Sequence, residues 1–120
     1  LFDLSPVPQP LTDCLRDQGY DFNAINCGGD EPLHQVREQW TDGANAFTLA
    51  PGKIISYARN SETTAALQQA GYRQIDAADF IANTADHMAD DQQLVITTAS
   101  AELPRGRGGP RCLTLPLDRA

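Results

Sequence analysis

The chain has 120 residues, of which 41% are hydrophobic, and its formal net charge is −7. This length suits one domain or part of one, and the apolar content is enough for a small core. The acidic balance argues against a nucleic-acid-binding module, and no apolar run approaches the roughly 18 residues that a membrane-spanning helix needs. The chain shows no signal-peptide pattern. It begins at Leu1 rather than at a methionine, so we expect a fragment or a processed product.

The cysteine and histidine content excludes two further classes of site. The three cysteines, Cys14, Cys27 and Cys112, form no Cys-x-x-Cys pair. Their low, odd number predicts free thiols in a reducing compartment, which favours the cytoplasm, and we expect the first two to be partly buried. The two histidines, His34 and His87, lie far apart in sequence, so we expect no metal site.

The N-terminal third is predicted to contain two helices and a strand. Residues 11–19 fit a short helix, because leucines recur at i and i+4 and Gly19 suits the position that ends a helix. Residues 20–26 alternate between apolar and polar side chains, as a strand does. After a glycine turn, residues 32–40 are predicted to form a helical turn.

A hairpin is predicted next. Residues 47–50 and 54–57 read as strands, and Pro51 and Gly52 between them suit the two central positions of a type II turn. A helix is then expected over 61–70.

The C-terminal half is predicted to alternate between helices and strands. Gly71 ends the helix that precedes it, and residues 72–76 follow as a strand. The elements predicted after that are a partly helical acidic segment over 77–92, a strand over 94–98, a glycine–arginine loop over 103–111 and a last strand over 112–117.

One local pattern occurs twice. Residues 15–20 and 67–72 share the form Leu-x-x-x-Gly-Tyr at an offset of 52 residues, and each pattern is predicted to lead from a helix into a strand. Self-similarity at this period is typical of repeated supersecondary modules. Glycine-ended helices are common, so the pattern alone does not decide whether the chain is a repeat.

The glycine–arginine loop carries the strongest chemical pattern. Its glycines permit close approach of a ligand, and its arginines offer forked donors that match a carboxylate. Positive charge near Cys112 would favour the thiolate that a nucleophile needs, and the last strand would hold this cysteine rigidly. The other residues concerned are Arg105, Gly106, Arg107, Gly108, Gly109 and Arg111.

Residue chemistry alone leaves other interpretations of the loop open. Arginine–glycine segments are often solvated tails, and a cysteine that begins an apolar strand is usually a small buried hydrophobe. A contact between the loop and a nucleic acid is a third interpretation, which the shortness of the segment and the acidic net charge oppose.

Three residues near the middle of the chain carry weaker signals. A tryptophan such as Trp40 is more often a core residue than a ligand platform. Asp42 and Asn45 are expected to bond local backbone in a turn. The aspartates between residues 76 and 91 are expected to form a solvated surface, because they lack the spacing of a calcium loop.

Two segments resemble the arginine deiminase family. Residues 105–117, Arg-Gly-Arg-Gly-Gly-Pro-Arg-Cys-Leu-Thr-Leu-Pro-Leu, are similar to the C-terminal signature of that family almost residue for residue. Residues 37–45, Arg-Glu-Gln-Trp-Thr-Asp-Gly-Ala-Asn, also resemble the family, together with Ala-Pro-Gly at 50–52 and Tyr-Ala-Arg-Asn at 57–60. The similarity covers about residues 28–75 and 100–119.

The resemblance implies an α/β fold, namely part of a pentein-type α/β propeller. The chain would supply about two ββαβ-like modules, over residues 1–60 and 61–120, as the C-terminal portion of a longer catalytic domain. The implied reaction is hydrolysis of L-arginine to L-citrulline and ammonia in the cytoplasm, without a cofactor or a metal. The expected partners are L-arginine and the missing N-terminal modules, not a nucleic acid or a membrane, and homo-oligomerisation is left open.

The resemblance also assigns roles to residues. Cys112 matches the nucleophile that forms a thiouronium intermediate with the substrate, and Arg107 matches an arginine that contacts the substrate carboxylate. Gly106 and Gly108 would shape the substrate-binding loop.

The chain departs from the family in one respect. Neither His34 nor His87 lies in the family's His-x-Asp acid/base pair, so we expect the isolated chain to be inactive. Two alternatives are another guanidino-modifying pentein, either an amidinotransferase or a dimethylarginine hydrolase, and a non-catalytic structural remnant of the fold.

Overall fold

The computed structural model describes residues 9–100, 102–115 and 117. Its helices are α1 (Leu11–Asp17), α2 (Pro32–Trp40), α3 (Ser61–Gln69), α4 (Ala77–Ala82) and α5 (Thr84–Ala89). Its strands are β1 (Phe47–Ala50), β2 (Lys53–Tyr57), β3 (Arg73–Asp76) and β4 (Leu94–Thr98). Two short 3₁₀ turns follow, over Leu103–Gly106 and Pro110–Leu113.

The four strands form one open mixed sheet in the order β1-β2-β4-β3. β1 pairs antiparallel with β2, while β4 lies between β2 and β3 and is parallel to both. One face of the sheet packs against α4 in a core formed by Ile75, Phe80, Leu94 and Ile96, with Ile55 and Ala77 beside it. The predicted mixed α/β class is confirmed.

The hairpin was predicted correctly because its turn is specified locally. Ala50 pairs with Lys53 across the turn, and Gly52 has a φ of +72°. A type II turn requires a positive φ at its third residue, which glycine adopts without steric cost. The helix over residues 61–70 and the strands over 72–76 and 94–98 are also confirmed, within one or two residues at their ends. The helical turn predicted over 32–40 is a helix of nine residues.

The two Leu-x-x-x-Gly-Tyr patterns end their helices in the same way. The backbone N–H of Tyr20 donates to the Leu15 carbonyl at 2.9 Å, and that of Tyr72 donates to the Leu67 carbonyl at 3.0 Å. The glycine before each tyrosine has a positive φ, +88° and +102°. This is the hydrogen bonding of a Schellman motif, so both predicted helix ends are confirmed. Only the second leads into a strand, and the division into modules at residue 60 stays a prediction.

The predicted strand over residues 20–26 is wrong. This segment has no regular secondary structure, and Tyr20 and Phe22 are exposed and stack on each other with ring centroids 6.1 Å apart. A strand is stabilised by hydrogen bonds to a neighbour, and no described strand lies beside this segment. The alternation of apolar side chains was therefore not enough to place it in the sheet.

The predicted last strand is also wrong at each described position between 112 and 117. Cys112 lies inside the second 3₁₀ turn rather than at a sheet edge. Leu113, Leu115 and Leu117 are 59%, 81% and 92% exposed, so the alternating leucines do not face a core. Pro110 starts the turn, and its fixed φ suits the first position of a helical turn.

A buried carboxylate joins α2 to the start of α3. Asn60, which precedes α3, makes no side-chain capping bond to it. The side chain of Glu38 takes this role: it is 0% exposed, and it accepts the backbone N–H groups of Glu62 at 3.0 Å and Thr63 at 2.7 Å. It also accepts the Thr63 hydroxyl at 2.7 Å and an Arg37 guanidinium N–H at 2.9 Å. The first free amides of α3 are therefore satisfied by a side chain from another helix.

No described helix has the length and apolar character needed to cross a bilayer.

We predict that Glu38→Gln lowers the free energy of unfolding by about 1–3 kcal/mol near neutral pH, because the new amide turns an N–H toward donors that need an acceptor. Burial raises the pKa of Glu38, but the donors from Thr63, Glu62 and Arg37 outweigh it and hold the pKa below its ordinary value. The pKa of Glu38 in the folded chain thus lies below its pKa in the unfolded chain. Stabilisation by Glu38 is complete above the ordinary pKa and is lost as the pH falls through the native pKa.

Urea unfolding of wild type and variant at about pH 7 and about pH 4 checks this prediction, since the difference between them should shrink on acidification. Glu31→Gln is the matched control, because Glu31 is exposed and makes no capping bond. Equal stability of wild type and Glu38→Gln at neutral pH would contradict the proposed capping role.

Candidate active site around Cys112

The glycine–arginine loop consists of two 3₁₀ turns joined by residues 107–109. Arg107 ends the first turn in the left-handed conformation, with a φ of 63°, and its N–H donates to the Pro104 carbonyl at 3.0 Å. The Cys112 N–H donates to the Gly109 carbonyl at 3.0 Å inside the second turn. Pro104 and Pro110 are buried. The predicted glycine–arginine loop over 103–111 therefore contains two hydrogen-bonded turns.

Tyr57 anchors this loop to the sheet. It is the last residue of β2, it is 2% exposed, and its hydroxyl donates to the Gly108 carbonyl at 3.0 Å. Burial raises the pKa of Tyr57 above its ordinary value and outweighs the lowering by the Ser100 side chain. The hydroxyl is therefore protonated at neutral pH and able to donate, and the carbonyl before Gly109 is fixed.

Cys112 is contacted by a side chain 67 positions earlier in the sequence. Nδ2 of Asn45 donates to Sγ of Cys112 at 2.9 Å. Cys112 itself is exposed, so a ligand can reach its sulfur. A cysteine that is both accessible and hydrogen-bonded is suited to act as a nucleophile more than as a structural residue.

Gly109 allows Asn45 to come this close. A Cβ atom on Gly109 would lie 2.4 Å from Cβ of Asn45 and 2.7 Å from its carbonyl oxygen. Such distances are far inside van der Waals contact, so any larger residue at position 109 would push the two segments apart. A Cβ added to Gly108 would lie 3.8 Å from Cβ of Cys112, and among the described residues no atom beyond the chain neighbours lies within 4 Å of a Cβ added to Gly106.

The segment that carries Asn45 is held by the end of α2. The hydroxyl of Thr41 donates to Oδ1 of Asn60 at 2.5 Å, and Nδ2 of Asn60 donates back to the Thr41 carbonyl at 3.1 Å. The N–H of Gly43 donates to the Glu38 carbonyl at 2.7 Å. Asn60 is fully buried, so these bonds are shielded from water and fix residues 41–45 relative to α3.

Two buried acceptors lie in this segment without a hydrogen-bond donor among the described residues. They are Oδ2 of Asp42 and Oδ1 of Asn45. Asp42 also has a φ of 60°, a strained value for a residue with a side chain. Together with Gln39, Ala44 and Arg111 they line a shallow cavity of about 340 Å³. Buried acceptors of this kind are satisfied when a ligand brings donors.

Arg107 lies over the face of Trp40. Its guanidinium carbon is 4.2 Å from the ring centroid, which is the geometry of a cation–π contact. Trp40 is 63% exposed, so the prediction that it is a core residue is wrong. The exposed indole instead supports the arginine, and the two side chains line a cavity of about 230 Å³ with Arg59 and Arg105.

The structure brings the two segments quoted from the sequence, residues 37–45 and 105–113, against each other. The expectation that the Asn45 side chain bonds local backbone is wrong, because its amide donates to Cys112. The backbone N–H of Asn45 does donate to the Asp42 carbonyl in a turn, at 3.0 Å. The sequence contained one usable signal for Asn45. It lies in one of the two segments that resemble a single family, and such segments often meet in a site.

The other predicted features lie away from Cys112. Cys14 and Cys27 are free and partly buried, as expected, and the described aspartates between residues 76 and 91 are exposed. Nδ1 of His34 lies 3.7 Å from a Glu62 carboxylate oxygen, and His87 stacks on Phe80 at 5.7 Å. Within the described ranges no cluster of three metal-ligating side chains occurs.

Comparison with known proteins places the chain among relatives of one family. A family model described as arginine deiminase matches residues 4–119. The chain is 40% identical over 114 residues to the arginine deiminase of Mycoplasma capricolum, which covers 94% of this chain and 23% of that protein. It is 38% identical over 109 residues to the arginine deiminase of Listeria monocytogenes, a match that covers 91% of this chain and 21% of that protein. It is 39% identical over 101 residues to the arginine deiminase of Borrelia duttonii, a match that covers 84% of this chain and 20% of that protein.

The match spans nearly the whole chain, and the chain spans about a fifth of the length of these curated relatives. The glycine–arginine loop and the residues that contact it lie inside the matched range. The chain therefore belongs to the arginine deiminase family.

Proposed function

We propose that this chain is the C-terminal portion of an arginine deiminase that hydrolyses L-arginine to L-citrulline and ammonia in the cytoplasm, with Cys112 as the nucleophile. The observation that carries the proposal is the accessible Cys112 sulfur, hydrogen-bonded to Asn45 inside a loop that Tyr57 anchors. Membership of the family supports the choice of substrate.

The proposed chemistry proceeds in two steps. The Cys112 sulfur donates an electron pair to the guanidinium carbon of arginine, and an S–C bond forms. A proton is delivered to one terminal nitrogen of the guanidinium, and the C–N bond to that nitrogen breaks. Ammonia departs, and a thiouronium intermediate remains on the Cys112 sulfur. Water then adds to the same carbon, the S–C bond breaks, and citrulline leaves as the sulfur is regenerated. This sequence needs a thiol, a proton carrier and water, and it needs neither a metal nor an organic cofactor.

Arg107 is proposed to hold the substrate carboxylate. The stacking on Trp40 restricts its guanidinium on the face of the ring, and the donors at its edge stay free to make a forked contact. Such a contact orients arginine with its guanidinium end away from Arg107. Gly106 and Gly108 are proposed to shape the loop around the substrate, with the Gly108 carbonyl fixed by Tyr57.

The rest of the active site is proposed to come from the missing N-terminal modules of the parent protein. The two histidines of the chain interact with Glu62 and Phe80, and neither belongs to a His-x-Asp pair. A pentein-type propeller built from five modules would bring an acid/base pair and guanidinium-binding carboxylates opposite Cys112. Because this chain spans about a fifth of its relatives, it is expected to be inactive alone.

We predict that Cys112→Ser in the full-length parent abolishes citrulline release from L-arginine, because a serine hydroxyl without a dedicated base is a poor nucleophile. The measurement is citrulline formed under saturating arginine. Cys14→Ser is the matched control, since Cys14 is a free thiol on α1, and it should keep wild-type turnover.

Retained turnover in Cys112→Ser would refute the assignment of the nucleophile. A wild-type parent that transfers the amidino group to an amine would instead identify an amidinotransferase, and preference for methylated arginines would identify a dimethylarginine hydrolase. A parent without turnover of any guanidino compound would be a structural remnant of the fold.

We predict that Arg107→Ala raises the KM for arginine by roughly ten- to a hundredfold with a smaller change in kcat, since a charge-assisted contact to the carboxylate is lost. Arg107→Lys should recover only part of the loss, because lysine keeps the charge without the planar fork. Arg16→Ala is the control, as Arg16 is exposed on α1 and pairs with Asp13 at 2.9 Å. A wild-type KM in Arg107→Ala would contradict this role.

A further inference from the structure

The proposed function leaves open what fixes the direction of the Cys112 sulfur. Cys112 lies in a four-residue 3₁₀ turn in which Pro110 is buried and the other three residues are exposed, and the strand that was expected to hold it does not form. A thiol at such a position can rotate about its Cα–Cβ bond between staggered rotamers. Attack on a bound guanidinium carbon needs one of these rotamers, so a partner that selects it increases the rate.

Asn45 has the geometry of such a partner. Its Nδ2 lies 2.9 Å from Sγ, and an amide donor at that distance uses one lone pair of the sulfur and fixes the direction of the others. The amide is itself restrained on two sides. Gly109 packs against its Cβ and Cγ, where an added Cβ would come within 2.4 Å and 2.5 Å, and the Asn45 N–H donates to the Asp42 carbonyl at 3.0 Å.

The other amide atom of Asn45 argues against a purely structural role. Oδ1 is buried and has no hydrogen-bond donor among the described residues. An asparagine that stabilised the fold would use both ends of its amide, because an unsatisfied buried oxygen costs free energy. The side chain is therefore placed for its contact to the sulfur, at some cost to stability.

We propose that Asn45 is a positioning residue that holds the Cys112 sulfur in its attacking rotamer, and that position 109 is glycine so that Asn45 can reach the sulfur. This inference rests on the proposed function for its effect on turnover, whereas the contact itself is testable without turnover. The proposed role depends on the Nδ2 contact to Cys112 and needs no contact between Asn45 and the reacting carbon.

Two substitutions in the full-length parent separate this role from simple packing. Asn45→Asp keeps the size and shape that pack against Gly109 but replaces the donating amide by a carboxylate oxygen. Asn45→Ala removes the donor without adding a charge. Both variants should lower kcat by roughly three- to tenfold or more while KM changes less, since one hydrogen bond to the nucleophile is lost. Their thermal unfolding should stay close to that of wild type.

The pattern across the two variants decides the outcome. A wild-type kcat in Asn45→Asp would show that shape alone matters, and a wild-type kcat in Asn45→Ala would show that the aspartate acts only through its new charge. Either result overturns the proposal. Gly109→Ala keeps the donor but fills its space, and it should lower kcat in the same way, whereas a wild-type kcat there would contradict the proposed reason for glycine.

A second measurement tests the contact independently of arginine turnover. In the parent labelled with ¹⁵N-asparagine, the side-chain amide signal of Asn45 is identified by its loss in Asn45→Asp. Cys112→Ala should shift this signal, and Cys14→Ala should leave it unchanged. An Asn45 signal that is insensitive to Cys112→Ala overturns the positioning role, even if the parent makes citrulline. A wild-type parent that makes no citrulline defeats the proposed function, while the amide signal still decides the contact.

Discussion

The buried carboxylate of Glu38 connects the parts of this chain that carry the candidate site. It satisfies the first amides of α3 from the side of α2, and the Thr41–Asn60 bonds next to it fix the segment that follows α2. A buried charge is costly unless donors surround it, and here four donors from three residues do so. α2 and α3 therefore have little freedom to move relative to each other. Residues 41–45, which follow α2, are held in place with them.

The position of Cys112, the proposed nucleophile, depends indirectly on this arrangement. Cys112 lies in a turn that is anchored on one side by the hydroxyl of Tyr57 through Gly108, and is contacted on the other by the amide of Asn45. One anchor comes from the end of β2 in the central sheet and the other from the segment after α2. Asn45 and Cys112, which are 67 residues apart in sequence, thus meet at the sulfur. This is the pre-organisation that a catalytic thiol requires.

Local chemistry explains which elements the sequence could predict. The hairpin at Gly52 and the two glycine-ended helices are specified by a few adjacent residues, and all of them form. The strands expected over 20–26 and 112–117 needed a neighbouring strand, which sequence alternation cannot reveal. Within the site, Cys112 and Arg107 were identified from a contiguous signature and their roles stay predictions. The contact of Asn45 and the exposure of Trp40 depend on how distant segments meet, and a single sequence does not contain that information.

The chain supplies one side of the proposed active site, namely Cys112 with its partner Asn45, and Arg107 stacked on Trp40. The rest is proposed to come from the missing N-terminal modules. The central claim is that Cys112 forms the covalent bond to the substrate. The most direct test is rapid acid quenching of the full-length parent during turnover of arginine, followed by mass spectrometry of its cysteine peptides. The account predicts an adduct equal to arginine less ammonia on the Cys112 peptide. Turnover with the adduct on Cys14 or Cys27, or with Cys112 unmodified, would contradict it.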